Sequence, residues 1–403
     1  GTQAMVARRF GAGDKLLAGT VLTNSLIVAF FSSIVATAVG WFGVPFFFKF
    51  LTHNESVIAL GVPYARLRIL GVLAMVMTTS FKGFFDGIGM TRVHMYAALV
   101  MNGFNIVLNY VFIFGAGPIE PYFVTGAAIA SLISTYIGLL MMAIWSFRKK
   151  YNKPHRYYRV QNISPRIMWE ISKLSAPSGA AQLFVMSGVL LFLKIVGMLD
   201  ERSVTDIIAT TELYKTGPAF LSQQNLFLEI PNLTGLAFAQ EHVHAITWSK
   251  PPVYTAAAKL IIDLLTIGFV TCIAFGTATA TLVSQSMGEK NFDLAETYGW
   301  DSVKLGAYFF GAIGIVVILF PGFFLDLLSD DATVIEAAIP GLRIMASLEI
   351  WIAMALILTQ ALFGAGATKF VMWVELLLHG FCLAPLAWLF GIYFDFGFNG
   401  VWL

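Results

Sequence analysis

Of 403 residues, 58% are hydrophobic and only 12% charged, whereas a soluble domain carries about a quarter charged residues. At a mean hydropathy of +0.78, a chain of this length would aggregate in water unless lipid covered most of it. The net charge of +2 says little about partners, and no long basic run interleaved with aromatics points to nucleic acid; Cys272 and Cys382, both inside apolar runs, cannot form a disulfide framework.

Apolar stretches separated by short polar turns then recur along the whole chain. Residues 1–9 read as the last turns of one span. Complete spans are predicted over 17–41, 62–85, 95–115, 124–147, 173–199, 254–283, 303–327, 337–364 and 369–392, each reaching the ~20 residues a bilayer requires. Residues 397–403 read as the start of another, and both ends of the chain are expected to be cut. Gly40, Pro45, Pro177 and Pro321 are normal in membrane helices. The expected fold is all-α, a polytopic membrane helical bundle.

Basic residues set the orientation. The connection from Arg148 to Arg166 holds Lys149, Lys150, Lys153, Arg156 and Arg159 with no acid between them, which places it on the cytoplasmic side. Alternating from there, the turns with Arg8, Arg9 and Lys15, with Arg92, with Glu289 and with Lys369 fall inside. Those with Glu120, with Asp326 to Glu336 and with Asp395 fall outside.

The chain also repeats itself. Gly11 pairs with Gly288, Pro63 with Pro340, the turn Gly87-Ile88-Gly89-Met90-Thr91-Arg92 with Gly364-Ala365-Gly366-Ala367-Thr368-Lys369, and Gly103-Phe104 with Gly380-Phe381, all 277 positions apart. Both copies begin on the cytoplasmic side, so the repeat is parallel and its axis runs along the membrane normal. Duplication of this kind is a transporter signature, with the site near the midplane between the halves. Residues from about 211 to 252 have no mate. They are read as an extracytoplasmic insert inert to transport.

The segments GTQAMVARRFGAGD, FFDGIGMTR, NIVLNYVFIFG followed by GAAIASLIS, and GTATATLVSQSMGEKN resemble the multidrug and toxic compound extrusion (MATE) family. The resemblance implies two pseudo-symmetric six-helix lobes, with the first span missing and the second and twelfth partial. On that pattern, 1–150 form the N-terminal lobe, 151–170 a basic cytoplasmic linker and 171–403 the C-terminal lobe. It implies export of amphipathic organic cations or drugs by antiport with H+ or Na+ as coupling ion. It implies no other cofactor, and a monomer in the inner (cytoplasmic) membrane whose partners are the bilayer and a small-molecule substrate. Two departures stand out. The family's fifth span often reads Asn-x-x-x-Asp, but here the positions are Asn105 and Asn109. Where many relatives carry a glutamate after the proline of the seventh span, Val185 and Met186 follow Pro177.

A charge in hydrocarbon costs about 2.5–3.5 kcal/mol, so those that persist face a cavity or a partner. Lys259 and Asp263 lie one helical turn apart and can pair, with Asp263 as a candidate ion site. Glu349, in ASLEIWIAM, has no partner one turn away, which suits a proton relay. Glu375 and His379 share another face, and a carboxylate beside an imidazole can pass a proton. Asn105 and Asn109 offer carbonyl oxygens to Na+ or hydrogen bonds to substrate. These seven are the candidate substrate- and ion-binding residues. Lys82 with Asp86 reads as a structural pair, Lys194 can snorkel, and His242 and His244 lack a third metal ligand.

No Walker A loop, nucleophile elbow or zinc-binding helix motif occurs, so the chain reads as a transporter driven by an ion gradient and not as an enzyme. The alternative is a lipid-linked oligosaccharide flippase of the same broad superfamily. Its pyrophosphate cargo calls for more basic residues at depth than Lys194 and Lys259.

Overall fold

In lipid every backbone N–H and C=O must be satisfied within the protein, so apolar stretches of this length fold as helices. A computed structural model of the chain describes residues 1–51, 55–116, 120–210 and 253–402, and every regular element among them is helical. In order these are α1 (Thr2–Gly11), α2 (Lys15–Leu51), α3 (Glu55–Leu70), α4 (Val72–Gly87), α5 (Arg92–Phe114), α6 (Phe123–Ser146) and α7 (Lys149–His155). They continue with α8 (Pro165–Thr210), α9 (Val253–Gly288), α10 (Phe292–Leu319), α11 (Pro321–Asp326), α12 (Ala332–Ala365), α13 (Thr368–Tyr393) and α14 (Gly397–Gly400). Among the described residues nine helical stretches are long and apolar enough to cross a membrane, with α3 and α4 together forming one. Between 6% and 33% of each most apolar window is buried, so most residues of each window are at least partly exposed. Phe46 and Tyr308, for example, are each 77% exposed. Such surfaces need lipid as solvent. The expected insert at about 211–252, with His242 and His244, lies outside the described residues.

Hydropathy locates the spans but not all their ends. The span predicted over 303–327 is broken: α10 stops at Leu319 and α11 restarts at Pro321, where proline lacks the N–H that a continuing helix needs. At its other end α10 reaches back to Phe292 through polar residues, because the Asn291 side chain caps it by accepting the Leu294 N–H (3.1 Å). Inside α13, Leu376–Leu383 and Leu389–Tyr393 are π-helical, a widening that no apolar periodicity announces.

The chain divides into two compact units. Unit 1 holds Gly1–Ser178, Phe275–Ser302 and Leu358–Lys369; unit 2 holds Gly179–Ala274, Val303–Ile357 and Phe370–Leu403. The core of unit 1 is built on Val6, Leu22, Phe84, Phe85, Met142 and Tyr157, with the Phe84 ring edge-on to Phe85, His155 and Tyr157 at 5.3–5.4 Å. Through His155, Tyr157 and the buried Tyr151, the connection after α6 docks into this core. Asn24, fully buried in α2, clamps the same connection: its amide donates to the Asn162 carbonyl (2.8 Å) and its oxygen accepts the Ser164 N–H (2.8 Å). In unit 2 the core joins Phe192, Val196, Ile261, Leu325, Leu342 and Trp402. There Asp200 of α8 accepts the Tyr254 and Thr255 amides (2.8 and 2.7 Å), placing a carboxylate on the orphan N–H groups that open α9.

Asn24→Leu leaves the Ser164 N–H and the Asn162 carbonyl without this partner, at about 1–3 kcal/mol each. A lower apparent thermal midpoint in detergent, with the linker becoming susceptible to protease first, is the expected result. His155 adds a pH dependence. Burial holds its imidazole below the usual histidine range, opposed by the hydrogen bond to the Tyr151 carbonyl and reinforced by Lys15. The unfolded chain therefore takes up a proton before the folded one does. Stability from this group is complete above about pH 6.5 and is lost as the pH falls below it. Thermal midpoints measured from pH 7.5 down to pH 5 should fall, and His155→Gln should reduce the fall.

Candidate functional site

Glu349 lies on α12 and is 7% exposed. Two glycines let neighbouring helices close on it. A Cβ built on Gly268 of α9 would stand 3.1 Å from Glu349 Oε1, and one on Gly314 of α10 would stand 2.7 Å from the Ala346 carbonyl and 3.1 Å from Glu349 Cβ. The carboxylate borders a cavity of about 300 Å³ walled by Leu264, Ile267, Phe310, Phe324 and Leu342 among others. Thr271 is the other polar side chain in its lining, and that hydroxyl already donates to the Ile267 carbonyl (2.8 Å). No ion pair to Glu349 forms among the described residues. An unpaired carboxylate in an apolar recess can hold a proton or a small cation.

None of the other candidates lines this cavity. Glu375 and His379 do meet: Nδ1 stands 3.0 Å from Glu375 Oε2 and 3.3 Å from the Glu375 carbonyl. His379 falls in the π-helical stretch of α13, and Gly188 of α8 packs so near that a Cβ there would come 2.8 Å from His379 Cβ. Lys259 and Asp263 form their ion pair on a face that is roughly half exposed, so their charges cancel on the helix that carries them. In unit 1, Asn109 Nδ2 donates to Asn105 Oδ1 (3.0 Å) and Asn105 Nδ2 to Ser131 Oγ (3.4 Å). Asn109 Oδ1 is buried without a partner among the described residues, a spare acceptor at membrane depth. Lys82 and Asp86 pair at 3.0 Å. Among the described residues, no group of three or more His, Cys, Asp or Glu side chains could hold a metal.

Within unit 1 lies a feature that the sequence reading passed over. A Cβ on Gly11 would come 2.2 Å from the Gln285 carbonyl oxygen, and one on Gly288 would come 2.1 Å from that of Arg8. Gln285 Nε2 donates to the Gly87 carbonyl (2.9 Å), and Arg8 Nη2 donates to the Gly364 carbonyl (3.4 Å) and to that of Ala365. Arg8 and Gln285 are themselves 277 positions apart, as are Gly87 and Gly364, so one contact is the image of the other. The turns match too. Gly89 (φ 77°) answers Gly366 (φ 80°), and Gly13 (φ 78°) answers Lys290 (φ 62°). The signal was available: applying the 277 offset to residues just before Gly11 and Gly288 yields Arg8 and Gln285.

Comparison with known proteins decides the family. The family model described as MatE matches residues 1–111 and 240–389, more than half of the chain. The chain belongs to the MatE family. It is 22% identical to the probable multidrug resistance protein NorM of Thermotoga maritima, over 100% of this chain and 75% of that one. Its fold is that of solved MatE-type transporters. A MOP superfamily transporter from Pyrococcus furiosus superposes with a TM-score of 0.77 at 22% identity, covering 100% of this chain and 77% of the other. A multidrug resistance MATE family transporter in an outward-facing conformation gives 0.77 at 21%, with the same coverage. This MatE protein is accordingly a multi-pass membrane transporter and not an enzyme.

The paired contact around Gly11 and Gly288 makes a direct demand on the MatE chain. Gly288→Val forces the Arg8 carbonyl away and is expected to destabilise by about 1–3 kcal/mol through overpacking. Gly299→Ala, whose Cβ would meet nothing within 4 Å, is the helix control and should be neutral or slightly stabilising. Thermal midpoints of the two variants in detergent check the contrast.

Proposed function

We propose that this MatE transporter exports amphipathic organic cations or drugs by antiport with H+ or Na+. The supporting observation is Glu349, a carboxylate without an ion-pair partner among the described residues, at the wall of an apolar cavity. It can exchange a coupling cation or proton against a cationic substrate. The multidrug-resistance names of the relatives support the drug assignment, and none of those names speaks for the flippase alternative. Two lobes rock about a site near the midplane, and aromatic and methionine side chains line the path. The protein acts as a monomer in the cytoplasmic membrane. The paired contact around Gly11 and Gly288 belongs to the end that the basic turns place at the cytoplasm. In this reading it is the inner closure, and it parts when substrate enters. Glu375 with His379 serves as a proton path. Asn105 and Asn109 contact substrate, and Asp263 with Lys259 neutralise one another.

The test is fluorescent-cation uptake into proteoliposomes holding the protein, under an imposed pH gradient with and without a Na+ gradient. Gradient-dependent uptake is expected, and the gradient that drives it names the coupling ion. Glu349→Gln should lower coupled uptake on the order of tenfold or more while inserting normally, and Asp263→Asn should have the smaller effect. Wild-type coupling in Glu349→Gln removes that residue as the coupling site. No uptake by folded protein under either gradient overturns cation antiport.

A further inference from the structure

A second recess lies in unit 1, in the connection that follows α6. It has a volume of about 710 Å³ and is lined by Phe147, Lys149, Asn152, Lys153, Arg156, Tyr157, Tyr158 and Arg159. None of its four cations forms an ion pair among the described residues, and no acid lies between Arg148 and Arg166. A solvated basic loop that merely sets topology needs no fixed shape, yet this one is held. The Tyr157 ring is buried in the core and its hydroxyl donates to the Ser146 carbonyl. The Tyr158 hydroxyl meets Ser146 Oγ (2.5 Å), and Asn162 donates to the Arg156 carbonyl (2.9 Å). Arg156 (φ 46°) and Tyr158 (φ 66°) are both in the left-handed region, conformations that persist only where the surroundings enforce them.

The walls have two chemistries. The cations form one. The stacked rings of Phe147 and Tyr158 (centroids 4.9 Å apart) form the other, 62% and 39% exposed. Depth is fixed by the chain: Phe147 is the residue after α6 ends, and one residue before that end the Trp145 ring lies 3.8 Å under the Arg148 guanidinium. Tryptophan and tyrosine of this kind mark the membrane interface.

We propose that this recess binds the headgroup of an anionic phospholipid of the cytoplasmic leaflet. The phosphodiester sits among Lys149, Lys153, Arg156 and Arg159, and the glycerol end lies against Phe147 and Tyr158. A free phosphate would use the cations but leave the exposed rings without a role. The lipid bridges α6 to the linker that leads to α8, so it stiffens the connection between the two halves of the repeat. This site is independent of which substrate or ion the protein carries.

Native mass spectrometry of the detergent-purified protein, titrated with phosphatidylglycerol, phosphatidylcholine and inorganic phosphate, tests it. Phosphatidylglycerol should bind and phosphatidylcholine should not. Removing a cation near a membrane surface weakens such binding about fivefold, so Lys153→Gln with Arg159→Gln should weaken it about 30-fold. The charge-matched control, Lys290→Gln with Lys369→Gln, should leave it unchanged. If the first pair does not purify as a single species, each single variant carries the same test with a loss of about fivefold. Equal losses in both pairs, equal binding of phosphatidylcholine, or displacement of the lipid by millimolar inorganic phosphate each overturns the proposal.

Discussion

At Gly11 and Gly288 the backbone of each repeat comes so near a carbonyl oxygen of the other that a methyl group would overlap it. In lipid there is no hydrophobic drive between helices, so association rests on close van der Waals contact and hydrogen bonds, for which small residues make room. Here that room is used twice, by residues 277 positions apart in exchanged roles. It brings the Arg8 and Gln285 side chains within reach of carbonyls that end α12 and α4. Those carbonyls are among the unsatisfied groups of a helix C-terminus, so the contact supplies partners that lipid could not. The linker docked by Asn24 and the core around Phe84 belong to the same unit.

Charged groups at membrane depth are handled in three ways. Lys259 and Asp263 cancel each other on one exposed face. Glu375 and His379 pair within a widened stretch of helix, partly covered by α8 at Gly188. Glu349 stands apart in an apolar recess to which two glycines admit it. The first arrangement removes a net charge, the second can share a proton, and the third leaves a carboxylate with no ion-pair partner among the described residues. A lone charge in hydrocarbon is expensive, and for that reason the proposed function rests on Glu349.

Much of the architecture was legible in the sequence. The nine spans found among the described residues followed from apolar length, and the family followed from motifs such as FFDGIGMTR. The one-turn spacings of Lys259 with Asp263 and of Glu375 with His379 also predicted real contacts. The break at Phe320 was missed because hydropathy runs straight through Pro321, and the π-helical turns of α13 because a wider turn leaves no mark on composition. Asp200 was missed because its role depends on the start of α9, which is distant in sequence. That Glu349 would stand beside a cavity depended on Gly268 and Gly314, on two other helices, and no spacing within α12 could reveal it.

The division into units has an electrical consequence. Glu349, Glu375, His379, Lys259 and Asp263 all fall in unit 2, while the candidates of unit 1 are the neutral amides Asn105 and Asn109. A charge carried through a membrane potential gains or loses about 2.3 kcal/mol per 100 mV. Among these residues, then, voltage has something to pull on in one unit only. The backbone repeat is close to symmetric at Gly11 and Gly288, but among these candidate residues the ionisable groups lie in unit 2 alone.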